Sequence, residues 1–496
     1  MQTRRDQLQA YRFVTRRVMA ALLHGEPDTP ESPMRKLAVA TFSGLMVAVL
    51  AVAAFGVWGL LRPGGAQSLE DPGTLIVEKD TGARYVFNQN DHKLYPVLNY
   101  TSARLILGSA TITERQVSHD ALTRYRRGAT LGIPGAPDSL PAPSALIRRP
   151  WSVCSRVELS PSNNPRPIVT LLAGRDPGGA RFGGDQAMVV QTPSRQFWVV
   201  WHNERMRADA TAIGVFNIQR EPQVGAAWLD ALPAGPDFAP PRLTDLGSPT
   251  SFQINGVSPS VGQVFQADIV GGDSKYYVAL PDGLAPIWQT EAALLFVDPR
   301  TRDAYHGQTP KAIAVDPATA NTHLSGQSVS NGELPHTLPR ATTLSRGDST
   351  PLCATYPDPT HKPGQVLVTQ GGSVPTDDQQ AGSVAVGSVT DTGSVDQVVL
   401  PPGGGALAGL VPGSGQAGQV QTYYLITEQG DQGLKFPFRS ADLVKTLGYD
   451  TSSAVPLPSN LLRLIQEGPI LDPVTARTPV PVVPLTPSPS ASAPSG

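Results

Sequence analysis

The strongest constraint on this chain is a run of 25 residues, Leu37 to Leu61, that reads LAVATFSGLMVAVLAVAAFGVWGLL and holds no charged side chain. About 20 apolar residues cross the hydrocarbon core of a bilayer as a helix, because only a helix satisfies its own backbone polar groups there. Arg35 and Lys36 stand before the run, and Arg62 and Pro63 after it. A cleaved signal peptide has a short basic leader and an apolar core of about 7–15 residues. Both are longer here, so the run reads as an uncleaved anchor. Residues 1–36 carry seven Lys/Arg and four acids, a net charge of +3, whereas residues 62–496 carry a net −5. The positive-inside rule therefore predicts a cytosolic N-terminus and an extracytoplasmic bulk.

That exterior has its own signature. The whole chain holds 39 Lys+Arg against 41 Asp+Glu, which leaves no basic footprint for nucleic acid. Gly 48 and Pro 49 make up about a fifth of the 496 residues, and both are costly inside helices. Long bundles and coiled coils are thereby disfavoured. The two cysteines, Cys154 and Cys353, both lie beyond the anchor. In an oxidising compartment an even count reads as one disulfide. Two unrelated buried thiols are the alternative.

Ahead of the anchor, Leu8, Tyr11, Val14, Val18 and Leu22 recur at steps of three and four. That spacing lays one apolar face along a helix. Arginines fill much of the remainder, with Arg12, Arg16 and Arg17 as candidate docking residues. The face suits either an anionic leaflet or a cytosolic partner.

Beyond the anchor, related segments recur. Tyr85–Gly108, Tyr276–Phe296 and Tyr423–Gly448 each open on an aromatic, β-branched strand. A turn, a second strand with Pro96, Pro286 or Pro437, and a short helix-like stretch follow. Phe197–Val215 is a weaker copy. Each cysteine segment falls between two copies. The expected fold is α+β and β-rich: four ββα-like repeats around a central β core, in an elongated pseudo-two-fold body. The expected divisions are 1–36 cytosolic segment, 37–61 transmembrane helix, 62–150 first repeat region and 151–195 first part of the central core. They continue with 196–250 second repeat, 251–345 third repeat region, 346–420 second part of the core, 421–473 fourth repeat and 474–496 disordered Pro-rich tail. Short strands are expected from residue 364 to 418, including Val384–Val386.

The search for chemistry returns little. No Gly-Lys dipeptide occurs, so there is no Walker A loop. Eight histidines are scattered without metal-ligand spacing, and no nucleophile elbow is present. Gly413, Gly415 and Gly418 match a dinucleotide fingerprint, but a strand rather than a helix is expected after them, so they read as a turn. Asp298, Asp303 and Asp316 cluster in sequence within Pro-bounded turns. The expectation is no catalytic residue, no metal site and no cofactor.

The basic helix, the single anchor, LYPVLNYTSARLILG (Leu94–Gly108), GIPGAPDSLP (Gly132–Pro141) and the two spaced cysteines together resemble the EccB family. EccB proteins are membrane-core components of type VII (ESX) secretion systems. The resemblance covers the chain except its Pro-rich tail. It implies an exterior of four repeats, similar to a phage-lysin wall-binding subunit, around a β core. It also implies a disulfide between Cys154 and Cys353, and assembly with EccC-, EccD- and EccE-like subunits. Self-association and a possible cell-wall contact belong to the same expectation. The family often carries an ATPase label, which would make ATP its ligand; the sequence offers no loop to hold it.

Overall fold

The computed structural model describes residues 4–24, 33–61, 69–159, 163–344, 349–375, 393–411, 420–430 and 432–481. The Gly413–Gly418 motif, Val384–Val386 and the tail from residue 482 lie outside these. Helices run over Arg4–His24 and Pro33–Leu61. Within the second, Leu37–Val57 has a mean hydropathy of 2.3, and none of it is buried against protein. A helix this apolar on every side has no polar face to give to water and calls for a lipid surround.

The exterior is mixed α/β and rich in strands. One six-stranded sheet holds, in spatial order, Gln397–Val399, Pro165–Ala173, Trp151–Leu159, Leu352–Tyr356, Leu367–Gln370 and Ala180–Arg181. Its inner strands are near-continuous apolar runs such as WSVC and IVTLLA, as expected where both faces are covered.

Four smaller sheets follow one plan: three antiparallel strands, with a fourth parallel to the first. In chain order the first holds Thr74–Glu78, Arg84–Asn88 and Lys93–Pro96, closed by Thr113–Val117. The second holds Gln186–Gln191, Phe197–Trp201 and Glu204–Ala208, closed by Arg340–Ala341. The third holds Val264–Ala267, Lys275–Leu280 and Gly283–Ile287, closed by Ile313–Ala314. The fourth holds Gly405–Val411, Tyr423–Gln429 and Gln432–Pro437, closed by Val455–Pro458. The ββα expectation is therefore two strands short in each unit. An extra strand precedes each aromatic-led strand, and a parallel strand returns after the helical segment.

A helical segment follows the third strand each time: Tyr100–Leu107, the 3-10 turn Ala212–Phe216, Gln289–Val297 and Asp442–Thr446. The first shows how sequence sets the ends. The Asn99 carboxamide oxygen accepts from the Ser102 N–H at 2.9 Å as N-cap, while its Nδ2 donates to the Ile133 carbonyl at 2.8 Å. At the other end Gly108 takes φ 67°, and its N–H bonds the Arg104 carbonyl.

The cores link the sheets in pairs. Leu105, Ile133 and Ala136 of the first unit share a cluster with Leu407, Phe436, Tyr449 and Leu471 of the fourth. Val189, Val199 and Met206 of the second meet Leu294 and Leu334 of the third unit. The largest cluster joins Trp151, Leu171 and Tyr356 of the six-stranded sheet to Trp228 and Ile426. Close approach explains the glycine that opens Gly405–Val411. A Cβ on Gly405 would sit 2.4 Å from Pro141 Cγ and 2.7 Å from the Ile426 carbonyl oxygen.

Candidate functional site

The residues singled out by sequence fall at two places, a helix and a staple. On Arg4–His24, Leu8, Tyr11, Val14, Val18 and Leu22 are 52–78% exposed, so this apolar stripe has no cover among the described residues. Arg12 and Arg16 are exposed beside it. Arg17 is exposed as well and lies 5.9 Å over the Phe13 ring. At 100° per residue, Arg12 and Arg16 share one flank of the stripe, and Arg17 falls on the other.

The staple sits at the heart of the six-stranded sheet. Cys154 and Cys353 stand directly opposite in antiparallel register and form a disulfide, with Cα atoms 4.0 Å apart. The two residues are 1% and 0% exposed, packed against Leu172, Val374 and Val399. Arg156, two residues along the strand, donates from Nη1 to the Pro375 carbonyl at 2.6 Å and pairs with Glu158. It thereby pins the segment that roofs the disulfide. Arg156 is not among the residues expected from sequence, although a charge inside WSVCSRVEL is the available signal.

The other candidates are structural. Asp298 caps a 3-10 turn and accepts from the Arg300 N–H at 2.9 Å; Asp316 caps a helix and accepts from the Thr319 N–H at 2.9 Å. Burial raises the Asp298 carboxyl, but the Arg300 guanidinium and backbone bonds outweigh it and hold it below the usual carboxylate range. A carboxylate held ionised in this way is unsuited to donating a proton. Asp298 and Arg300 line a cleft of about 530 Å³ with Asp209, Arg242 and Leu294, in which both charge signs are present. Among the described residues, no group of three or more His, Cys, Asp or Glu could hold a metal. Four of the histidines have ordinary partners: His119 bonds Glu78, His361 bonds Asp358, and His202 and His336 stack on Trp201 and Trp288. Tyr85 and Tyr277 are 5% and 4% exposed, so these repeat aromatics belong to the core.

An apolar N-terminal helix long enough to cross a bilayer and a large disulfide-stapled, β-rich body define a membrane-anchored class of protein. More narrowly, residues 1–484 match the family model described as "Type VII secretion system ESX-1, transport TM domain B", and the chain belongs to this EccB family. It is 28% identical over 492 residues to "ESX-3 secretion system ATPase EccB3" of Mycolicibacterium smegmatis, covering 94% of this chain and 89% of that one. It is 27% identical to "ESX-1 secretion system ATPase EccB1" of Mycolicibacterium smegmatis strain MKD8, covering 98% and 97%. The fold is also similar to a chain of an intact ESX-5 inner membrane complex, with a TM-score of 0.62 and 23% identity over 99% of this chain and 98% of that one. A chain of an EccB3 dimer from the ESX-3 core complex gives 0.59 and 24%, covering 82% and 99%.

Proposed function

We propose that this chain is a non-catalytic structural subunit of a type VII secretion membrane complex. The family match from residue 1 to 484, taking in both the anchor and the exterior, carries this reading. In it the N-terminus is cytosolic, as the flanking charges favour. The exposed Arg12–Arg16 flank and the apolar stripe of Arg4–His24 dock on a neighbouring subunit of the EccC, EccD or EccE type. The solved complexes support an assembled state for relatives, one of them as a dimer. The common strand plan of the four smaller sheets supports descent from one repeated unit, and the first–fourth and second–third core pairings support a pseudo-two-fold body. Contact with the cell wall rests on the family resemblance alone.

The competing reading is an ATP hydrolase, favoured by the word in the relatives' names. Against it stand the missing Walker A loop and an exterior that faces away from cytosolic ATP. The test is ATP turnover by the full-length chain purified in detergent without other subunits. No turnover above a buffer blank is expected. Turnover that persists through further purification and vanishes on a point substitution in this chain would overturn the structural reading.

A further inference from the structure

The last described residues do not leave the exterior as a loose end. Pro473–Ala476 is a short helix capped by Asp472, and Arg477 Nη2 donates to the Ile106 carbonyl of the first unit at 2.9 Å. The chain then adds to the first outer sheet. Arg126–Arg127 lies parallel to Lys93–Pro96, and this segment continues to Leu131, which bridges Val97. Leu131 also bridges Pro479 in antiparallel sense, and the Val480 N–H donates to the Thr130 carbonyl at 2.8 Å.

The equivalent segments of the other three units bridge their third strands through Ala234, Leu324 and Glu467. Among the isolated bridges of the described residues, only the Leu131 segment has a partner on its outer side as well. Among the described residues, the first sheet alone receives this additional strand.

Register decides which groups face where. Val480 bonds inward to Thr130, so its neighbours Pro479 and Pro481 present their backbone nitrogens outward, since alternate residues of a strand face opposite neighbours. Proline has no N–H. Both outward positions are exposed, and both lack the donor that another strand would need.

We propose that Pro479-Val480-Pro481 is an edge cap: it closes the first outer sheet with one inward donor and removes the outward donors through which a second copy of this chain would add by strand pairing. The cap ties the end of the exterior to its first unit and shuts the edge at once. This inference does not depend on membership of a secretion complex.

The test uses the full-length chain in detergent. Hydrogen exchange of the Val480 amide should be slower than in the urea-unfolded chain. The Pro479→Ala/Pro481→Ala variant should keep that protection and the wild-type melting temperature, yet show concentration-dependent association, with at least a doubling of mass over wild type by light scattering. A chain ending at Arg477 should lose the cap and associate likewise. An unprotected Val480 amide in the wild type would overturn the cap. A folded double-alanine variant with wild-type mass at every concentration would overturn the blocking role of the prolines.

Discussion

Tyr356 shows how single buried groups hold the six-stranded sheet to its neighbours. Its ring is 1% exposed, its hydroxyl donates to the Ala231 carbonyl, and Asn460 Nδ2 donates to it at 3.1 Å. Burial pushes this phenol up to about 12, so it remains a donor through the physiological range. Tyr356→Phe keeps the ring and removes one hydrogen-bonded hydroxyl, which should cost about 1 kcal/mol. A urea midpoint equal to wild type would show that the hydroxyl contributes nothing. Asp396 supplies a pH signature. Burial raises its carboxyl above the usual range, more than the Val169 N–H and Arg166 lower it. The folded carboxyl thus takes up its proton at a higher pH than the unfolded one. Its ionised form costs stability in the neutral range. That cost fades as pH falls through the raised pKa toward the ordinary value of 3.8. Asp396→Asn retains an acceptor for the Val169 N–H, so its stability difference from wild type should shrink on acidification. A difference independent of pH would remove this carboxyl from the account.

At the scale of elements, the disulfide is the clearest test. It joins Trp151–Leu159 to Leu352–Tyr356 across a sequence separation of 199 residues. Cys154→Ser/Cys353→Ser should destabilise the exterior by roughly 2–5 kcal/mol, read as a lowered denaturant midpoint. The same midpoint with and without the bond would make the staple redundant. The anchor was plain in the sequence because 25 uncharged residues permit few other structures. The aromatic-led strands Arg84–Asn88, Lys275–Leu280 and Tyr423–Gln429 were also legible, since β-branched and aromatic residues mark pleated, half-buried positions. The strand before each was not grouped with them. Gly405–Val411, GALAGLV, holds two glycines, Gly405 pressed by Pro141 and Ile426 and Gly409 pressed by Val420, so its strand propensity is weak and it reads as part of the core region. Arg340–Ala341 was illegible for another reason: it pairs with Gln186–Ala187 far back in the chain. Two residues cannot carry a period. The proposed docking role of Arg4–His24 makes its own prediction. Arg12→Glu, Arg16→Glu and Arg17→Glu together should weaken complex assembly on a native gel while leaving the exterior's melting temperature unchanged. Intact assembly would exclude docking through this helix.

For the whole molecule, one core packs the first unit on the fourth and another packs the second on the third, while the largest cluster joins the six-stranded sheet to strands of the second and fourth units. Catalytic motifs can be searched for in the sequence because they need fixed residue types at fixed spacing. The partner surfaces cannot, because an apolar stripe declares that something covers it and leaves the identity to chemistry elsewhere. The central claim is that the chain works by assembly rather than by turnover. Its most direct test is affinity purification of the tagged chain, solubilised from its own host, with particle mass and composition read together. The account predicts a large particle that contains EccC-, EccD- and EccE-like subunits, with any ATP hydrolysis lost when the motor subunit's Walker lysine is replaced. A lone monomer or dimer, or hydrolysis that survives that replacement, would contradict it.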